Sequence, residues 1–292
     1  MKAFDYFRPT TVEEACQLSS DPDEKVKILA GGTDLLIRMK NKVMLPTKLV
    51  SLRDVPGLSS IKFSTDKGLT IGSMALLSVI ENSPEIKKNF PAITEAAASV
   101  GSVQIRNRAT LGGNICNASP AADMLPSLIA YHAMVVITNG KAERSVALED
   151  FYIGPGNSVL ESGEIVKMIT IPVPSPLSFG KYLKASRSAL DCAGVGVGAM
   201  VEFDTNKTVC KQLRLVLGAV APTVIRAKES EKMAVGQELN DQLILKISQM
   251  AANEINPISD IRCSAEYRKI MVLTNTRRVL VAARTWAQKG GK

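Results

Sequence analysis

The chain has 292 residues, 46% of them apolar and 4% aromatic, a length that fits two domains or one large domain with a smaller partner. No apolar run approaches the about eighteen residues of a membrane span, and the opening Met1-Lys2-Ala3-Phe4-Asp5-Tyr6-Phe7-Arg8-Pro9 lacks the apolar core of a signal peptide, so a soluble, cytoplasmic protein is expected. The formal net charge of +8 comes from dispersed Lys and Arg without interleaved aromatics; this disfavours nucleic acid and leaves solvated surface, a phosphate-bearing cofactor or an acidic partner subunit.

Up to about residue 55 the pattern reads β-α-β. Thr11 can cap a helix over 12–18, with Glu14 in its first turn, and residues 26–29 read as a short strand. The loop Ala30-Gly31-Gly32-Thr33-Asp34 follows, then a helix over 35–39 and a strand over 48–52. A Gly-Gly pair lets the backbone turn freely and leaves its N–H groups uncovered. Such a strand–glycine–helix junction favours an anion.

After Pro56-Gly57, strands are expected near 61–63 and 69–71, and helices over 76–81 and 92–99. A second glycine loop, Thr110-Leu111-Gly112-Gly113-Asn114, precedes a helical stretch at 125–131, a strand at 134–138, an Asn139-Gly140 turn and a strand at 165–171. Cys116 is read as a small buried cysteine, and His132, the only histidine, as packing. A single histidine leaves no nucleophile–base constellation to build. The five cysteines show neither a CxxC pair nor a Cys-His spacing, which argues against a disulfide scaffold, zinc or an iron–sulfur cluster in this chain.

The cluster Pro172, Pro174, Ser175, Pro176 and Ser178 is the best linker, giving expected domains 1–175 (subdomains about 1–55 and 56–175) and 176–292. Beyond it, 181–186, 195–203 and 212–217 alternate as an antiparallel sheet of three strands. Helices are expected over 225–234, 242–252 and 265–288, the last with a break. Strands followed by helices make the class α+β.

Neither glycine pair fits GxGxxG or GxxxxGK[ST], and either alone reads equally well as a tight turn. Together, each after apolar residues and each with a Thr and an acid or amide, they point to a diphosphate-containing cofactor held from both sides. A side chain at Gly32 or Gly113 is then expected to occupy the cofactor's approach path.

The two loops resemble the FAD-binding loops of the medium subunit of molybdenum hydroxylases, the flavoproteins of the xanthine dehydrogenase and carbon monoxide dehydrogenase families. Gln104-Ile105-Arg106-Asn107-Arg108-Ala109, Asn117-Ala118-Ser119-Pro120-Ala121-Ala122-Asp123 and Gly154-Pro155-Gly156 carry the same resemblance. So do Glu164-Ile165-Val166 and Asp260-Ile261-Arg262-Cys263-Ser264-Ala265-Glu266-Tyr267-Arg268. Arg187-Ser188-Ala189-Leu190-Asp191 and Ala221-Pro222-Thr223-Val224-Ile225-Arg226 look most like bacterial xanthine dehydrogenase FAD subunits.

The resemblance implies a vanillyl-alcohol-oxidase (PCMH) type FAD-binding domain of two α/β subdomains plus a C-terminal domain. It assigns Lys27, Ile28, Leu29, Ala30, Gly31, Gly32, Thr33 and Asp34 to the FAD diphosphate, chiefly by main chain. Thr110, Gly112, Gly113 and Asn114 approach from the other side. Asp123 is assigned to the ribityl region, facing hydroxyls rather than phosphate, Ile165 (or Val166) to a backbone contact near the flavin ring, and Lys184 to the cofactor, with Tyr182 read as packing.

No catalytic or metal-ligating residue is assigned. The implied role is electron transfer from [2Fe–2S] clusters of a small subunit to FAD and on to NAD or another acceptor, with substrate oxidised at molybdopterin in a large subunit. A dimer of such heterotrimers is the implied assembly. A carbon monoxide, nicotinate or aldehyde dehydrogenase subunit, or a stand-alone FAD oxidase, is the alternative.

Overall fold

The structure, a computed structural model, describes residues 2–21 and 25–291. Met1 and Lys292, the outer limits of the two expected domains, lie outside the described residues. The chain opens with β1 (Asp5–Phe7), α1 (Val12–Ser19), β2 (Val26–Leu29), α2 (Leu35–Lys40) and β3 (Lys48–Ser51). These build a parallel sheet in the order β1-β3-β2, with Ile28 and Phe7 both in register with Val50. Thr11 Oγ1 accepts the Glu14 N–H at 3.1 Å while the Glu14 carboxylate accepts the Thr10 N–H at 2.8 Å, so cap and first turn of α1 are tied together reciprocally. The helix then buries Ala15 and Cys16 against Val50, Leu52 and Val55.

The second segment runs β4 (Ile61–Ser64), β5 (Gly68–Gly72), α3 (Leu77–Asn82), α4 (Pro84–Asn89), α5 (Pro91–Ser99), α6 (Val103–Arg106), α7 (Leu111–Cys116) and α8 (Met124–Ala130). It closes with β6 (Met134–Thr138), β7 (Glu143–Ala147), β8 (Tyr152–Gly154), β9 (Asn157–Ser158) and β10 (Ile165–Ile171). Its main sheet, β4-β5-β10-β6-β7, is wholly antiparallel because tight hairpins join β4 to β5 and β6 to β7. In the second hairpin Asn139 Oδ1 accepts the Lys141 and Ala142 N–H groups, and Gly140 supplies a φ of +86°. Helices α4 and α6, absent from the sequence reading, are too short to show a period; their cues are the capping residues Ser83 and Ser102. The second glycine pair, expected as a loop, is the first turn of α7, capped by Thr110 Oγ1 on the Gly113 N–H.

The C-terminal part holds β11 (Ser178–Ala185), β12 (Val195–Phe203), β13 (Val209–Gly218), β14 (Ile225–Arg226), α9 (Lys228–Ala234), β15 (Gln237–Glu238), α10 (Asp241–Asn253) and α11 (Ala265–Gln288). The three expected strands form an antiparallel core, β11-β12-β13, that β14 and β15 extend to five by pairing with β13. Ile225 and Arg226, expected to start a helix, pair with Leu217 and Val216 instead, and α9 begins at Lys228. The final helix is unbroken, since no Gly or Pro interrupts residues 265–288. It lays Val272, Val279, Leu280 and Ala283 on the sheet's Val197, Ala199 and Val201.

Helix α8 is buried on every side, as a helix apolar all round must be. It is held between the C-terminal sheet on one side and α5 and α7 on the other: a Cβ at Gly198 of β12 would lie 2.5 Å from the Pro126 carbonyl carbon. Among the described residues no helix is long and apolar enough to cross a membrane.

Candidate cofactor site

A cavity of about 470 Å³ opens where the three parts of the chain meet, within the ordinary size range of ligand sites. Lys27, Ile28, Ala30, Gly31, Gly32, Thr33 and Asp34 line it from the first sheet; Thr110, Gly112, Gly113, Asn114, Asp123 and Ile165 line it from the second. Leu29 and Lys184 do not. The Leu29 side chain turns beneath the loop, where its Cδ1 and that of Leu36 flank the Cβ position of Gly32. The sequence reading did not assign Arg38, Ser73, Val100, Gly101, Ile105 and Cys192, which also line the wall. They come from chain segments that only the tertiary fold brings together, with no local pattern to mark them.

Each glycine pair is packed tightly against a neighbouring stretch of backbone. A Cβ on Gly31 would lie 2.1 Å from the Arg108 carbonyl oxygen, and one on Gly112 would lie 2.6 Å from Ser73 Cβ. Both glycines are therefore required by backbone contact. Gly32 adds a φ of +77°, and a Cβ there would meet Leu29 and Leu36, which corrects the expectation that it would project into an approach path. At Gly113 the nearest neighbour of a Cβ is Thr110 Oγ1, at 2.9 Å.

Their N–H groups differ in availability. Gly112 donates to Ser73 O at 2.8 Å, Gly113 to Thr110 Oγ1 at 3.1 Å, and Asn114 to Thr110 O at 3.0 Å, so α7 has spent its first donors. The N–H groups of Gly31, Gly32, Thr33 and Asp34 meet no protein acceptor among the described residues. Consecutive free N–H groups in a turn form a nest for an anion. Opposite them, the buried Asn114 Oδ1 and Ser73 Oγ also lack a protein partner.

At another wall Asp123 is 6% exposed. Tyr182 donates its hydroxyl to Asp123 Oδ1 at 2.8 Å, and Lys184 Nζ donates to Oδ2 at 3.2 Å and to Ser99 O at 2.8 Å. Lys184, expected to reach the cofactor, is instead buried behind Asp123, because strand alternation puts it beside Tyr182 on the inner face of β11. Burial pushes the Asp123 carboxyl up from its ordinary value despite Lys184 and the Tyr182 hydroxyl; burial and the Asp123 charge hold the Tyr182 phenol well above its own.

Glu164, also on the wall, is gripped by Arg144 through Nε–Oε1 at 2.7 Å and Nη2–Oε2 at 2.6 Å. That guanidinium holds its carboxyl below the ordinary value. Leu190, Asp191 and Cys192 close the cavity from the C-terminal part. Their segment is pinned where Arg268 Nη1 donates to Gly194 O at 2.7 Å, and Arg268 is itself paired with Asp260 at 2.8 Å.

Residues 2–174 match the family model of the FAD binding domain in molybdopterin dehydrogenase. The chain belongs to this family. Residues 181–283 match the CO dehydrogenase flavoprotein C-terminal domain, so this FAD-binding molybdopterin dehydrogenase chain carries both parts of the flavoprotein. It is 33% identical over 290 residues to the xanthine dehydrogenase FAD-binding subunit of Escherichia coli O157:H7, covering 98% of this chain and 97% of the relative. It is 32% identical over 269 residues to the glyceraldehyde dehydrogenase medium chain of Sulfolobus acidocaldarius, covering 92% and 94%. The fold superposes on reconstituted CO dehydrogenase from Oligotropha carboxidovorans with a TM-score of 0.92 at 30% identity, over 97% of this chain and 98% of that one.

The cofactor of this flavoprotein is FAD, and the cavity's chemistry fits it. Free N–H donors suit a diphosphate, and the unpaired acceptors Asn114 Oδ1 and Ser73 Oγ, with the remaining lone pairs of the Asp123 carboxylate, suit hydroxyl or imide donors. Val100, Ile105, Leu160 and Val166 add apolar wall for an aromatic ring system. Among the described residues no group of His, Cys, Asp and Glu could hold a metal ion.

Proposed function

We propose that this chain is the FAD-carrying electron-transfer subunit of a xanthine dehydrogenase-like molybdenum hydroxylase. Its partners are a molybdopterin-binding large subunit and a small subunit with [2Fe–2S] clusters, in a dimer of heterotrimers with NAD or another acceptor. Residues 1–175 form the FAD-binding domain and 176–292 the C-terminal domain. When bound, FAD exchanges electrons in ones or pairs, which suits a station between clusters and a hydride acceptor.

The chain's own residues bind and orient. The run of unpaired N–H groups from Gly31 to Asp34 is the observation that carries the reading, since four adjacent donors facing a cavity match a diphosphate. Asn114 and Asp123 accept from hydroxyls, the carboxylate being kept away from phosphate by its own charge. Val100, Ile105 and Val166 shield the ring, and no side chain is asked to move a proton.

The purified chain reconstituted with FAD should show a flavin absorption spectrum. Its absence after reconstitution would overturn the proposal. The co-purified complex, assayed with hypoxanthine, xanthine, nicotinate, glyceraldehyde and carbon monoxide, should turn over a purine fastest; faster turnover of an aldehyde would move the assignment to the glyceraldehyde dehydrogenase type, whose medium chain is as similar in sequence.

A further inference from the structure

Tyr182 lies outside the cavity lining, yet its hydroxyl is the shortest contact made by the Asp123 carboxylate, at 2.8 Å. We propose that Tyr182 is a positioning residue for FAD binding: its hydroxyl, with Lys184, holds the Asp123 carboxylate from behind so that the remaining lone pairs face the cavity. This rests on the FAD reading of the site.

A carboxylate offers about four acceptor positions. Tyr182 takes one on Oδ1 and Lys184 one on Oδ2, with the Ser99 side chain also on the protein side, and the lone pair that remains is left to a donor inside the cavity that Asp123 lines. An acceptor so fixed selects hydroxyl or imide N–H donors and repels phosphate, which orients a dinucleotide end to end without touching its ring.

The surroundings of Tyr182 are shaped for this task. Gly196 of β12, in register with Lys184, leaves room for the hydroxyl, which a Cβ there would approach to 3.0 Å. Glu95 of α5 fixes the strand by accepting the Tyr182 N–H at 2.8 Å and Lys181 Nζ at 2.7 Å. Lys184 also holds Ser99 O, at the end of α5, one residue before the cavity-lining Val100 and Gly101. Strand β11 thus ties the seating of the C-terminal part to the geometry of a carboxylate in the FAD-binding part. An acceptor held by such a set of donors is preorganised for its ligand.

The test is a double-mutant cycle on the full chain. FAD dissociation constants are measured by fluorescence titration for the wild type, Y182F, D123N and the double variant, and unliganded melting temperatures report folding. Y182F should weaken FAD binding roughly tenfold, the value of one hydrogen bond to a charged group. In the D123N background the same change should have little effect, because the carboxylate through which Tyr182 acts is gone.

An equal loss in both backgrounds would mean that Tyr182 only packs, and would overturn the proposal; so would unchanged affinity in Y182F. Should Y182F not fold, the chain made with fluorinated tyrosine replaces it. Its hydroxyl is a stronger donor, and FAD affinity must then shift with Asp123 present and not in D123N; equal behaviour overturns the proposal. A wild-type chain that takes up no FAD would overturn the site reading, and the proposal with it.

Discussion

Replacing Gly31 by Ala tests the junction on which the cavity depends. The new Cβ would sit 2.1 Å from Arg108 O, 2.9 Å from the carbonyl carbon and 3.0 Å from Ala109 Cα, all backbone atoms that no rotamer change can move aside. Ordinary contact requires an opening of about 1 Å between the first glycine loop and the segment before α7. Overpacking of this kind costs about 1–3 kcal/mol, or roughly 2–10 °C in Tm for a chain of this size. The same opening moves the four free N–H groups relative to Asn114, so FAD affinity should fall about tenfold or more. The control is Gly154→Ala, where a Cβ meets nothing within 4 Å. Differential scanning fluorimetry and FAD titration read both effects. A Gly31→Ala chain that matches the Gly154→Ala chain in Tm and FAD affinity would refute the packing argument.

Three further outcomes are expected. Arg144→Gln removes the guanidinium that holds Glu164 below its ordinary value of 4.5; a depressed carboxyl stabilises the fold above the unfolded value and loses that contribution as pH falls through the folded one, so the variant should be less stable at pH 7 by about 1 kcal/mol, and the difference should narrow in acid to what the bond to Val159 O contributes, as urea unfolding across pH will show. Glu231→Gln removes the shorter of two carboxylate partners of Arg226 and leaves it Glu149, while the amide oxygen still accepts the Leu215 N–H; a loss of about 2 kcal/mol is expected in the same assay, and a Tm unchanged within about 1 °C would contradict it. In thiol labelling of the folded chain at pH 8, exposed Cys192 should react well before Cys16 and Cys210, which are buried with thiols pushed up to about 11 and about 12.

Periodicity and caps made much of the fold legible. Residues 26–29, 134–138, 165–171 and 195–203 fall where strands were read, and the linker prolines separate the second sheet from the third. What escaped was either too short to carry a period, as with α4 and α6, or set by partners remote in sequence. Ile225-Arg226 has no strand signal of its own and is held extended by Leu217 and Val216. In the site, every assigned position on the two glycine segments but Leu29 lines the cavity, because each lies in or beside a turn whose residues are visible in the sequence. The pairing of Lys184 with Asp123 was not legible, because the alternation of β11 shows which residues share a face but not that Asp123 would meet them there. Ser73, Gly101 and Cys192 could not be read at all, since their place in the wall exists only once three separate parts of the chain have packed.

The glycine pairs read as equivalent jaws, and the hydrogen bonds make them unequal. Gly112, Gly113 and Asn114 give their N–H groups to Ser73 and Thr110, which is the cost of starting a helix there and of seating it against β5. What that side has left for a ligand is an acceptor, Asn114 Oδ1. The first loop keeps its donors because it follows a parallel strand whose last bond, Leu52 N–H to Leu29 O, uses a carbonyl and leaves the next N–H groups open. A diphosphate needs donors and a polyhydroxylated chain needs both donors and acceptors. The cavity therefore has a direction: free N–H donors along 31–34 on one side, acceptors at Asn114 and Asp123 on the other. That polarity follows from which backbone groups each turn had already used, and two similar Gly-Gly motifs could not have disclosed it by composition.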